Sequence, residues 1–594
     1  MKNKALMLTF LLLPAVAALL ASCSGGGGHS SGGVGTTAAV PSSSSQTTPT
    51  TPGTPTPPPS GQTDVLMWHN DLAHSGQVLN ETTLTPATVN AAHFGKLFTQ
   101  EVLGQTYAQP LYKSQVTVGG IVHNVVYVAT MHDQVYAFDA TTQMAALWQV
   151  SFLNGGATTV PLSDYPGYTD LLNEIGILST PVIDPTSSTL YVVAKTKEAS
   201  AVTTTNPNGH VFRLHALDLA TGAEKMGGPV VLAATFPGTG TASVGGVIAL
   251  DPYLNNQRSA LLLLNGVVYV AFSSYGDSGN YHGWILGYDA SNLAQVSVWN
   301  DTPNNPSSSI GQGGIYMSGG SPASDGTSIY TSTGNGWFDT TAPVTDFGDS
   351  VVKLDPTGLT VADYFTPSDQ ATLNANDLDL DSGGIMILPT QPGSKPDLLV
   401  TAGKDGTVYL IDRDNMGAYN ATTDQVVQEV GIFPGISSTP AYWNGTIYYK
   451  PATTDISVTN PTALSAFPLI PGSGSTPTQI NFNPSSSSTQ TWGWPGATPS
   501  ISANGTTGGI VWVIEGDFTI PTGSPQSTAA ILRAYDATNL ANELYDSTQN
   551  AADGMGNAVK FTLPIIANGK VYVCAGALNP TSATSGELSV FGIK

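Results

Sequence analysis

Residues 125–150 read VVYVATMHDQVYAFDATTQMAALWQV. Two runs rich in Val, Tyr and Ala and a third bearing Trp148 are separated by turn-forming residues, as in consecutive antiparallel strands. The first run recurs as TLYVVA 189–194, VVYVAF 267–272, SIYTST 328–333, DLLVTA 397–402, TIYYKP 446–451, GIVWVI 509–514 and KVYVCA 570–575. That makes eight copies, with onsets 49 to 78 residues apart. Repetition on this scale is the signature of an array of like units.

A second strand follows each copy, and six of these end in Asp: Asp139, Asp218, Asp289, Asp355, Asp412 and Asp536. An acid repeated so regularly is a turn-closer, since Asp bonds its own backbone two residues on. Runs containing Pro110, Pro181, Pro322, Pro440, Pro499 and Pro564 precede the VYV-type strands. Pro cannot donate to a ladder, so these runs are expected as inner strands with a free edge. Asn265-Gly266, Asp325-Gly326, Asn444-Gly445, Asn504-Gly505 and Asn568-Gly569 follow them, and such dipeptides favour two-residue hairpins.

The unit is therefore a four-stranded antiparallel blade, and the expected fold is an all-β, eight-bladed β-propeller, with seven blades as the alternative. The last blade runs out of chain at Lys594, and FGKLFTQEV 94–102 has the pattern to supply its outer strand.

The 594 residues carry a formal charge of −23 with only 10% charged residues. That balance argues against nucleic acid and anionic surfaces as partners. Residues 1–22 read as a signal peptide, with Lys2 and Lys4 ahead of an apolar run too short to span a membrane comfortably. Leu20-Ala21-Ser22-Cys23 resembles a bacterial lipoprotein signal, which implies lipidation at Cys23. Ser24 at the next position implies an outer-membrane destination. Residues 23–63, dominated by Gly, Ser, Thr and Pro, read as a disordered tether, and 64–594 as the propeller. The other cysteine, Cys574, then has no intramolecular partner.

The Asp-x-x-Thr-Gly turn of ALDLATG 216–222, with aromatics such as Trp148, Trp299, Phe365 and Tyr545 downstream of the Asp turns, resembles the repeat of pyrroloquinoline quinone (PQQ) enzymes. Long loops gather on the face opposite the tight hairpins, and function concentrates on such loops. Four stretches there resemble parts of the quinoprotein alcohol dehydrogenases. TGNGWFD 333–339 implies a calcium-binding Asn335. DLDSGGIMIL 379–388 implies Asp379 as catalytic base and as a residue of the metal site. GKDGTVYLIDR 403–413 implies a quinone-contacting Lys404, and SSYGDSGNYHGW 273–284 leaves Asp277 where the family has a Glu ligand. The resemblance also implies an aromatic ceiling over the quinone, for which Trp284 or Trp337 stands available.

The chain departs from that pattern. It lacks the family's adjacent Cys-Cys pair, has Leu378 for a Trp, and contains no haem-attachment motif. Asn335 and Asp379 also suit turn caps, and Lys404 an ordinary hairpin. These departures favour a non-catalytic, lipid-anchored module that binds envelope proteins or glycans. The alternative is a PQQ- and calcium-dependent dehydrogenase oxidising an alcohol or sugar. Asp377, Asp379 and Asp381 imitate a calcium-hand loop whose twelfth position is Leu388 rather than Glu. His69 and His74, ahead of the first blade, read as structural, and His132-Asp133 as a turn pair.

Overall fold

The computed structural model describes residues 63–306, 312–452, 461–519, 526–577 and 585–594. The signal-peptide reading, Cys23 and all but the last residue of the tether lie outside them. Eight four-stranded antiparallel blades follow one another in chain order. Blade one comprises Leu111–Val118, Ile121–Thr130, Gln134–Asp139 and Trp148–Ser151. The eighth is completed by the chain's beginning: Phe94–Leu103 pairs antiparallel with Ser585–Ile593, from Phe94 opposite Ile593 to Leu103 opposite Ser585. Ring closure thus removes the edge that blade eight would otherwise expose.

The VYV-type strands are mostly apolar because both faces are buried. In blade one Val125, Tyr127 and Ala129 pack against blade two, while Val126 and Val128 pack against blade eight. The same alternation gives one apolar cluster at each blade-to-blade interface. A side chain added to either face meets a neighbouring sheet. The outer-strand aromatics Trp148, Trp299, Phe365 and Tyr545 are buried in these interfaces. Cys574 is buried between blades eight and one, and burial pushes its thiol up to about 12.

The repeated aspartates do close turns. Asp139, Asp218, Asp289, Asp355, Asp412 and Asp536 each accept the backbone N–H two residues ahead. Asn265-Gly266, Asn444-Gly445 and Asn568-Gly569 hold positive φ at both positions, as two-residue type I′ hairpins require. The repeated prolines sit just ahead of the inner strands rather than within them, as at Pro181 before Val182–Asp184. There the missing N–H costs no ladder bond.

Residues 65–81 make a circuit of the inner edges. Val65 exchanges hydrogen bonds with Tyr112 of blade one, and Leu66 accepts from Ile183 of blade two. Leu72, Ala73, Ser75 and Gly76 accept from Ser324, Ile387, Tyr442 and Ile501, on blades four to seven. Glu81 receives the Gly569 N–H of blade eight at 2.8 Å. Between these contacts Trp68 is buried against Ala260 and Leu563, from the segments leading into blades three and eight. The segment thus contacts the inner strands, or the stretches leading into them, around the whole ring. His69 Nε2 meets Pro499 O at 2.8 Å, and His74 bridges Ile385 O and Ser321 Oγ at 2.9 and 2.8 Å. Gly76 is required here, because a Cβ would fall 2.2 Å from His69 Nε2.

Candidate functional site

The long-loop face opens into a cavity of about 380 Å³ on the axis. Asp277, in the loop after Val267–Ser274 of blade three, lines it. Asp379, just before Ile385–Ile387 of blade five, and Lys404, just after Leu398–Ala402, line it too. Asn335, in the loop after Ile329–Ser332 of blade four, is buried behind Asp379.

Asp379 joins these loops. Its Oδ1 accepts the Asn335 N–H at 2.8 Å, and its Oδ2 lies 2.6 Å from Lys404 Nζ. Its carbonyl accepts the Lys404 N–H, fixing the blade-five loops to each other. Gly334 permits the approach, since a Cβ there would sit 2.8 Å from Asp379 Oδ1. Lys404 also reaches Asp377 at 3.0 Å. Burial would depress its ammonium, but the charges of Asp379 and Asp377 outweigh it and hold the group above the ordinary lysine range.

Asp277 accepts hydrogen bonds from Tyr316 Oη and, at 2.9 Å, from Ser274 Oγ. Burial and then the Asp379 charge push its carboxyl above the usual range. Asp381 is buried beside them, and Oδ2 accepts the N–H groups of Tyr316 and Met317. Its pKa is raised well above normal by burial and by Asp379. Two oxygens in this region have no hydrogen-bond partner, Asn335 Oδ1 and Asp381 Oδ1. The wall is thus rich in oxygen and short of positive charge apart from Lys404.

The aromatic ceiling expected of Trp284 or Trp337 needs correction. Trp284 is fully buried in the interface of blades two and three, and Trp337 stands exposed on its loop. Neither lines the cavity. Its aromatic surface comes instead from Tyr107, Tyr168, Trp494 and Phe561, from segments leading into blades one, two, seven and eight, together with Tyr316 and Phe518. Arg258 and Lys560 line that same side. None of these residues lies in a repeated motif, so no sequence period marks them.

The calcium-hand imitation does not form a cage: Asp377 pairs with Lys404, and Asp381 caps the Tyr316 turn. Among the described residues no group of three or more His, Cys, Asp and Glu side chains is placed to hold a metal. His69 and His74 belong to the segment 65–81. His132 pairs with Glu174 at 2.9 Å, while Asp133 is buried with neither oxygen hydrogen-bonded.

No protein-family model and no curated protein sequence matches this chain. Among solved structures it is similar to the quinohemoprotein alcohol dehydrogenase of Comamonas testosteroni, with TM-score 0.54 at 16% identity, covering 89% of this chain and 80% of that one. A europium-containing methanol dehydrogenase gives TM-score 0.54 at 12% identity, over 89% of this chain and 98% of that one. BamB from Moraxella catarrhalis superimposes more loosely, with TM-score 0.43 at 12% identity, over 84% of this chain and 99% of that one. At these identities the likeness of the first two establishes the fold alone, a β-propeller.

Proposed function

We propose that this propeller is an oxidoreductase of the quinoprotein kind, acting on a hydroxyl group of an alcohol or sugar. The observation that carries the reading is the convergence of Asp277, Asp379 and Lys404 on one axial cavity, with Asn335 of a third blade bonded behind Asp379. The donor set suits a hard cation such as calcium: two carboxylates and a carboxamide oxygen, Asn335 Oδ1, that has no other partner. A positive ion there would offset the burial and the Asp379 charge that raise Asp277. The volume and the aromatic wall suit a small planar ligand. When bound, PQQ would accept the hydride and the cation would polarise its carbonyl.

The chain's own residues supply the rest. Asp379 is positioned to take the hydroxyl proton on a carboxylate oxygen, with its other oxygen fixed by the Asn335 N–H. Lys404 Nζ, already charged and within reach of the same carboxylate, balances negative charge that develops beside it. Tyr316 and Ser274 orient Asp277 through its Oδ1.

The decisive experiment is titration of the purified protein with PQQ and calcium, followed by dye-linked oxidation of a panel of alcohols and aldoses. Saturable quinone binding with substrate-dependent dye reduction is expected. Absence of quinone binding would sink the reading and leave a non-catalytic binding module. The proposal extends to location: acylation at Cys23 would hold the protein at the outer membrane, with residues 24–63 as the spacer.

A further inference from the structure

The cavity wall across from Asp379 is electrostatically incomplete. Arg258, between blades two and three, lays its guanidinium 4.3 Å over the Phe561 ring, and its Nη2 is buried with no hydrogen-bond partner. Lys560 is 5% exposed and lies 5.3 Å from the Trp494 ring and 5.9 Å from Phe561. Its nearest carboxylate, Asp170, is 3.5 Å away and half-exposed. Burial, and the neighbouring charge of Arg258, bring the Lys560 ammonium down to about 8 despite Asp170. Asp170 in turn is pulled below the usual carboxylate range, first by Lys560.

Two cations therefore share one weakly engaged carboxylate inside a cavity. Buried charge without full pairing is costly, and a guanidinium edge with a free N–H fits a carboxylate well. The rings of Trp494, Phe561, Tyr107 and Tyr168 surround the pair, so the anion's carbon body would meet aromatic faces.

We propose that Arg258 and Lys560 form a carboxylate-binding cradle, so that the cavity's ligand carries a carboxylate on the side remote from Asp379. This concerns a wall to which the cation and base assigned above do not belong. A carboxylate there comes from one of two sources, a polycarboxylate cofactor or a hydroxy-acid substrate.

Calorimetric titration of the whole protein separates them, with PQQ, gluconate and uncharged glucose as probes, in wild type, Arg258→Gln and Lys560→Gln. Each substitution is expected to weaken a carboxylate probe at least tenfold and to leave glucose unchanged. Loss confined to PQQ assigns the cradle to the cofactor; loss confined to gluconate assigns it to the substrate, and stands even if the quinone reading fails. Unchanged affinity for both carboxylates overturns the proposal. Thermal unfolding without ligand guards against a trivial cause. Removing one of two repelling cations should leave the melting temperature level or raise it, whereas a fall accompanied by equal loss for glucose marks the pair as structural.

Discussion

Lys404 Nζ lies 2.6 Å from Asp379 Oδ2, while the other oxygen of that carboxylate accepts the Asn335 N–H at 2.8 Å. The acid is thus held from both sides, by a charge and by a backbone dipole. Under the proposed function, Asp379→Asn keeps the shape, removes the proton acceptor, and should cut turnover by roughly 10²–10⁴-fold. Quinone affinity, measured by equilibrium dialysis, should hardly change. Lys404→Ala should do the reverse, weakening quinone binding first.

Ring closure should be visible in stability. Phe94 is fully buried against Trp512, Tyr545 and Phe591, where the first outer strand meets the last blade. Phe94→Ala is expected to cost about 3–5 kcal/mol in urea unfolding. A cost below about 1 kcal/mol would mean that the closing strand contributes little.

Acid should loosen the segment 65–81. Burial depresses His69 to about 4 and His74 to about 3, against 6.5 for a free side chain. Below pH 6.5 the unfolded chain takes up protons that these two histidines in the folded state refuse until about pH 4 and 3. Their contribution to stability is therefore complete above pH 6.5 and is lost as pH falls through that window. The urea midpoint should drop between pH 7 and pH 4, and His69→Gln with His74→Gln should flatten the drop.

Lipidation at Cys23 predicts a fractionation result. Cys23→Ala should move the protein from the membrane to the soluble envelope fraction. Unaltered membrane association would refute the anchor.

The blades were legible because their signals are local. VYVAT followed within a few residues by an Asp-closed turn states strand, loop and strand without help from distant sequence. Closure by Phe94–Leu103 was legible as a shortage, since blade eight lacked an outer strand. The site divides along the same line. Asp277, Asn335, Asp379 and Lys404 follow or precede recognisable strands, so their blades fixed their placement. Arg258, Lys560, Trp494 and Tyr168 lie in non-repeating segments leading into blades, where only the closed ring brings them together. Trp284 misled because its position on a strand puts the ring into an interface between blades, two of whose faces demand apolar bulk. The path of residues 65–81 left no periodic trace, because most of its bonds run from backbone to backbone.

The segment 65–81 ties the ring together from within. Trp68, His69 and His74 are lodged among the inner strands and the segments leading into them, so one stretch of chain cross-links blades otherwise joined only to their neighbours. A single cut between residues 66 and 76 should therefore loosen several blades together, where a cut in one outer strand would loosen one.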